Sequence, residues 1–310
     1  MRRFSCWWIA AVPLAGLGCH AGSGGEVYAT DHSADLGASG YCRTTTCQPA
    51  LTSDYPIVGQ CQPADFADSP ECRALGASNA PLWWSTSCVG YDLNELASRK
   101  VSYDDFQASA QSAFGAWTAA ACPSRPSVDV RDLGPVACAR AFYDKTGGPN
   151  QNVIVFHDDA WPYEAADDQA SGQSMSTTIA LTTVTFDPQT GEIFDADIEL
   201  NSADFSIVIA DPSTPSDGTT FDLQSVLTHE TGHFFGLAHS PLEDAVMYKT
   251  GDSNAGTAKR SLAREDALGI CAVYTPTWTR TVSTIVDDAG TTPAGACDPT
   301  PRHGFSSTCD

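Results

Sequence analysis

The stretch 229-HETGHFFGLAH-239 places three of the chain's seven histidines within eleven residues, with a glutamate beside the first. On an α-helix, residues four apart share a face, so His229 and His233 project side by side and can meet one ion. Were the helix to continue, His239 would lie about 240° further round the axis than His233. Gly236 removes that difficulty: a glycine can end the helix in a left-handed turn and swing His239 back toward the same point. Three histidines at fixed spacing arise by chance about once in 10⁵ start positions, and demanding the glutamate and glycine lowers this roughly another 200-fold. Coincidence is set aside on that arithmetic. The scattered His20, His32, His157 and His303 read as ordinary surface or core residues.

The chemistry that suits this pattern is zinc hydrolysis. A catalytic zinc takes three protein ligands and keeps a fourth position for water, whose pKa it lowers toward ~7. His229, His233 and His239 are the candidate ligands, for one catalytic Zn2+. Glu230 follows the first ligand directly; its carboxylate can lie beside the water, take its proton during attack on a carbonyl and hand it to the leaving amine. Peptide-bond hydrolysis is the expected reaction.

Around this stretch the hydrophobic pattern predicts an α+β fold, a twisted sheet backed by helices. Ser102 is placed to cap a helix whose inner stripe is Phe106, Ala110, Ala113, Phe114 and Trp117. Strands are expected at 127-SVDVRDL-133, 152-NVIVFHD-158, 177-TTIALTTVTF-186 and 192-EIFDADIEL-200, the last two joined as a hairpin through 187-DPQTG-191. Asp222 can cap the metal-bearing helix, which runs from Leu223 to about Phe235, and a final helix fits 261-SLAREDALGICAVY-274.

The 310 residues, 42% of them hydrophobic, suffice for one good core and a small second module. With 38 acidic against 16 basic residues, the formal charge of −22 repels nucleic acid and anionic lipid, so neither is an expected partner. Residues 1–21 read as an export signal: Arg2 and Arg3 precede an apolar run from Cys6 to Leu17 that is too short to span a bilayer. Cleavage can fall after Ala21, or before Cys19 with a lipid anchored there, giving either a secreted or a membrane-tethered protein. No later segment is apolar enough for a transmembrane span. Ten cysteines remain beyond the leader, an even number that allows up to five disulfides in an exported chain, with connectivity open. Residues 22–80 divide into a Gly-, Ser- and Asp-rich tether and a Cys-rich segment, 81–275 form the main domain, and 276–310 are a Cys-containing tail. A monomer acting on a protein or peptide substrate is expected.

HExxHxxGxxH is the signature of the metzincin zinc proteases, and the chain shows it complete. With Ser240 after the third histidine and 245-AVMY-248 further on, the chain resembles the matrixin family, the group that contains the matrix metalloproteinases; the likeness runs over about residues 81–275. That resemblance implies a metzincin-like catalytic domain with a mixed sheet, an active-site helix, a Met-turn at Met247 forming a hydrophobic floor, and a C-terminal helix. It also implies that 178-TIALTT-183 is an exposed sheet edge on which an extended peptide pairs, the competing reading being an ordinary inner strand. Leu181 and Asp197 stand where a second, structural zinc would find histidines, so no second zinc is expected. Asp195, Asp197 and Glu199 could hold a structural Ca2+ instead, or simply face solvent. Lys249 replaces the proline usual after the Met-turn tyrosine, leaving side-chain preference open, and no Cys-switch pro-peptide motif is present. The rival function is a catalytically weak, zinc-containing surface binding or adhesion protein; loss of Glu230 would mark it, and Glu230 is present.

Overall fold

A computed structural model describes residues 82–274, apart from 123–125, 127, 144–149, 164–177, 187–190, 212–213, 215–218, 241, 249 and 252–255, together with the backbone of residues 2–10, 29–32, 42–45, 286–287 and 290–291. Ala21 and Cys19 of the leader, most of 22–80 and most of the tail lie outside the described residues. In chain order the strands are β1 (Arg2–Ala10), β2 (Ala29–His32), β3 (Cys42–Thr45), β4 (Trp83–Trp84), β5 (Cys88–Asn94), β6 (Asp129–Val136), β7 (Val153–Phe156), β8 (Thr178–Phe186), β9 (Glu192–Leu200), β10 (Ser206–Val208), β11 (Thr220–Asp222) and β12 (Thr250–Gly251). The helices are α1 (Tyr103–Thr118), α2 (Leu223–Phe234) and α3 (Arg264–Val273).

Both long helices begin where their sequence caps stand. Ser102 accepts the Asp105 N–H at the start of α1, and Asp222 accepts the Ser225 N–H at the start of α2. The stripe Phe106, Ala110, Ala113, Phe114 and Trp117 is buried on α1, facing the core that Val226, Leu227 and Phe234 of α2 enter from the other side. Phe114 meets Phe234 edge-on at 5.0 Å. Polar tips of aromatic residues then fix the middle and the C-terminal end of α2: Trp117 Nε1 donates to Thr228 O at 2.8 Å, Trp84 Nε1 to Phe234 O at 2.8 Å, and Tyr274 Oη to Phe235 O at 2.8 Å.

The helices lie against a mixed sheet of order β12-β1-β8-β9-β7-β5-β6, with β4 also beside β9. β6, β5, β7 and β9 run parallel in succession, and β8 returns antiparallel to β9. This is the α+β arrangement expected from the pattern. β5 was not foreseen. Gly90, Asp92 and Asn94 interrupt its apolar residues, yet it lies inside the sheet, and burial there pushes the Asp92 carboxyl up to about 7. β6 begins two residues later than expected and continues past Gly134, whose φ of +108° accompanies a register shift against β5.

Two further expectations change. β8 is paired on both sides, because the backbone of Arg2–Ala10 lies antiparallel along it, Ile9 opposite Thr178 and Arg2 opposite Phe186. The edge on which a peptide was expected to pair is thus covered by the chain's own first strand. And Asp195, Asp197 and Glu199 do not face solvent: all three are 1% exposed. Alternation along β9 sends Ala196, Ile198 and Leu200 into the helix-backed core and the acids to the opposite face. There Asp197 accepts the Val153 and Phe142 N–H groups, each at 2.9 Å, while Glu199 holds His157 Nε2 at 2.8 Å and Tyr163 Oη at 2.5 Å. Burial raises the Asp197 carboxyl to about 8, against the pull of those two backbone donors.

Cys122, just after α1, is disulfide-bonded to Cys271 of α3 with Cα atoms 5.5 Å apart, tying together positions 149 residues apart. Among the described residues no helix is long and apolar enough to cross a membrane.

Candidate metal centre

α2 delivers the first two histidines from one buried face. His229 and His233 are fully buried, and their ring centroids lie 4.9 Å apart. The helix stops at Phe235; Gly236, at φ +88°, turns the chain, and the Gly236 N–H donates to His233 O at 2.8 Å. His239 returns so that its Nε2 is 3.2 Å from His233 Nε2 and its ring 5.2 Å from that of His229. One donor atom from each of the three histidines lies within 4.8 Å of the others, and among the described residues this is the cluster with the reach to hold a single metal ion.

Hydrogen bonds fix which nitrogens point inward. His229 Nδ1 donates to Val246 O at 2.7 Å and His233 Nδ1 to Leu237 O at 2.8 Å. A carbonyl oxygen only accepts, so each Nδ1 carries its proton and each Nε2 keeps a lone pair, the tautomer a metal ligand needs. Burial, with the neighbouring imidazoles, holds His229 far below its usual range, and burial pushes His233 down to about 4. Neutral, preoriented, largely desolvated imidazoles and no carboxylate among the donors are a set that fits zinc.

Glu230 is fully buried alongside them. Its Oε2 accepts the Thr182 hydroxyl of β8, while Oε1 has no hydrogen-bond partner among the described residues. Burial raises this carboxyl to about 8, with the Thr182 hydrogen bond pulling the other way. Such a group is suited to exchanging a proton near neutral pH.

The floor under the histidines is held from α3 and from the short turn at Ala258–Arg260 before it. Asp266 accepts the Val246 N–H at 2.7 Å and the Met247 N–H at 3.1 Å, and Lys259 Nζ donates to Glu243 O at 2.5 Å and also to Ala245 O. Met247 is buried, and the Ser240 N–H donates to Met247 O at 2.7 Å, so the segment after the third histidine is bonded to the turn. Gly232 shows how closely the two meet: a Cβ there would lie 2.2 Å from Met247 Sδ and 2.8 Å from Trp117 Cζ2. Sequence spacing found the histidines and Glu230, and the family resemblance pointed to Met247. Neither found Thr182, Lys259 or the role of Asp266, which sit in other elements and carry no local signature.

Gly236 has both a positive φ and a neighbour that cannot move aside, since a Cβ would stand 2.5 Å from the carbonyl oxygen of buried Leu82. Gly236→Ala is therefore expected to cost about 1–3 kcal/mol of stability. It should also weaken metal retention, because His239 is placed by this turn. Thermal melts with and without added zinc, and zinc content after dialysis, measure both effects.

Residues 134–275 match the family profile described as Matrixin. With the mixed sheet, the histidine cluster and the Met-containing turn on the same frame, this part of the chain is similar to the matrixin family of metzincins. It is 33% identical over 111 residues to Metalloendoproteinase 1-MMP of Arabidopsis thaliana, covering 36% of this chain and 28% of that protein. It is 28% identical over 177 residues to Metalloendoproteinase 1 of Glycine max, covering 55% of this chain and 46% of that one. A shorter match, 45% identical over 56 residues, is to Metalloendoproteinase 5-MMP of Arabidopsis thaliana, covering 18% and 15%. The chain spans less than half the length of each of these relatives.

Proposed function

We propose that this protein is an exported zinc-dependent endopeptidase, with His229, His233 and His239 as the metal ligands and Glu230 as general base and acid. The observation that carries the reading is the convergence of three histidine nitrogens within 4.8 Å beside a buried carboxylate with one oxygen unengaged. Zinc bound there supplies a Lewis acid and lowers the pKa of a water toward ~7. Glu230 Oε1 accepts the proton of the attacking water and returns it to the amine that leaves. His229 and His233 are held in register by their Nδ1 bonds to Val246 and Leu237, so the site is preorganised before substrate arrives.

Substrate binding follows from the sheet. Export with cleavage of residues 1–21 removes the strand that lies along β8, and the N–H and C=O groups it had satisfied become available to an extended peptide. Whether the mature protein is released or tethered through Cys19, its substrates are proteins or peptides outside the cell. No calcium is assigned to the acid row of β9, since Asp197 and Glu199 already use their oxygens on protein donors.

Purified mature protein should degrade casein, lose that activity in a chelator and recover it with added zinc. Chelator-insensitive cleavage would overturn the zinc mechanism. Stoichiometric zinc with no cleavage of any protein substrate would favour a surface binding protein that has kept the metal.

A further inference from the structure

We propose that Thr182, on the strand packed against the active-site helix, is a positioning residue for Glu230, holding one carboxylate oxygen so that the other is presented for proton transfer. The inference rests on the reading of Glu230 as general base. β8 and α2 meet here: Thr182 is in register with Ile198 of β9, whose side chain enters the core beneath α2, so the hydroxyl faces the helix and not the peptide-binding side. Thr182 and Glu230 are both fully buried. The hydroxyl makes its close contact with Glu230 Oε2 and lies at 3.2 Å from the Glu230 backbone carbonyl. A hydroxyl has one proton to donate, and the closer acceptor, the side-chain oxygen, takes it.

The two oxygens of Glu230 are consequently unlike. Oε2 is held and Oε1 has no partner among the described residues, so turning the carboxylate plane about the terminal torsion, otherwise soft in a glutamate, would break the Thr182 bond at a buried site. The carboxylate is thereby kept in one orientation. Leu181 and Thr183 point to the opposite face of the strand and cannot substitute.

The test compares Thr182→Val and Thr182→Ser in zinc-loaded mature protein, with Glu230→Gln alongside. The expected result is a fall in kcat of ~10-fold or more for Thr182→Val with KM within about 2-fold, and Thr182→Ser within about 3-fold of wild type. Zinc content should be unchanged in both variants. Metal-free crystals supply a second readout: the Glu230 carboxylate should be turned or split between orientations in Thr182→Val and wild-type-like in Thr182→Ser. If Thr182→Val does not fold, Thr182→Ala is read in the same way. Wild-type kcat in Thr182→Val with an inactive Glu230→Gln would overturn the positioning role and leave the peptidase reading intact. Wild-type activity in Glu230→Gln as well would overturn both. Loss of zinc in step with activity would make Thr182 merely structural, which also overturns the proposal.

Discussion

Glu230→Gln should lower kcat/KM by roughly 10²–10⁴-fold while the protein keeps its full zinc content. Glutamine has the shape of glutamate, so the buried space beside the histidines stays filled. Its amide oxygen can still accept the Thr182 hydroxyl. What it lacks is the ability to take a proton at the position of Oε1, which in the native protein has no competing hydrogen bond. The substitution thus separates metal binding, supplied by three imidazoles, from proton transfer, supplied by one carboxylate. Steady-state kinetics on a fluorogenic peptide, with zinc measured on the same preparation, tests it. Activity equal to wild type would refute the assignment of Glu230.

His233→Ala should abolish zinc retention after dialysis and, with it, all measurable peptidase activity. His233 is fully buried, its ring 4.9 and 4.8 Å from those of His229 and His239. Its loss leaves two donors where a catalytic zinc needs three. It also removes the Nδ1 bond to Leu237 O, which helps hold the Gly236 turn, so His239 loses its own placement. The effect should therefore exceed that of a surface ligand. Stoichiometric zinc in this variant, by metal analysis, would exclude the three-histidine centre.

The parts of the site that the sequence made legible are those whose geometry is local. A spacing of four on a helix, a cap at Asp222 and a helix-ending glycine at Gly236 act within a dozen residues, and so their outcome can be read without the rest of the chain. The long strands β8 and β9 were legible for the same reason: alternation and a Pro–Gly hairpin are local signals. β5 was not, because Gly90, Asp92 and Asn94, which alternate with its apolar Val89, Tyr91 and Leu93, read as loop residues, although the fold buries them.

Tertiary structure alone decided the remainder. The side of β9 that carries Asp195, Asp197 and Glu199 follows from alternation; that loops bury this side, supplying Phe142, His157 and Tyr163, does not. The reach of Thr182 to Glu230 spans 48 residues, that of Asp266 to Val246 spans 20, and the Cys122–Cys271 bond joins positions 149 apart. Hydrogen bonds and disulfides of this kind depend on sheet register and on which helix face meets which strand. A one-residue slip of β8 would turn Thr182 away from the helix while leaving the local pattern of the chain almost unchanged. By itself, then, the amino-acid sequence determined what the site is made of and which histidines converge. Packing decided how the carboxylate beside them is held, because that contact exists only once strand and helix are brought together.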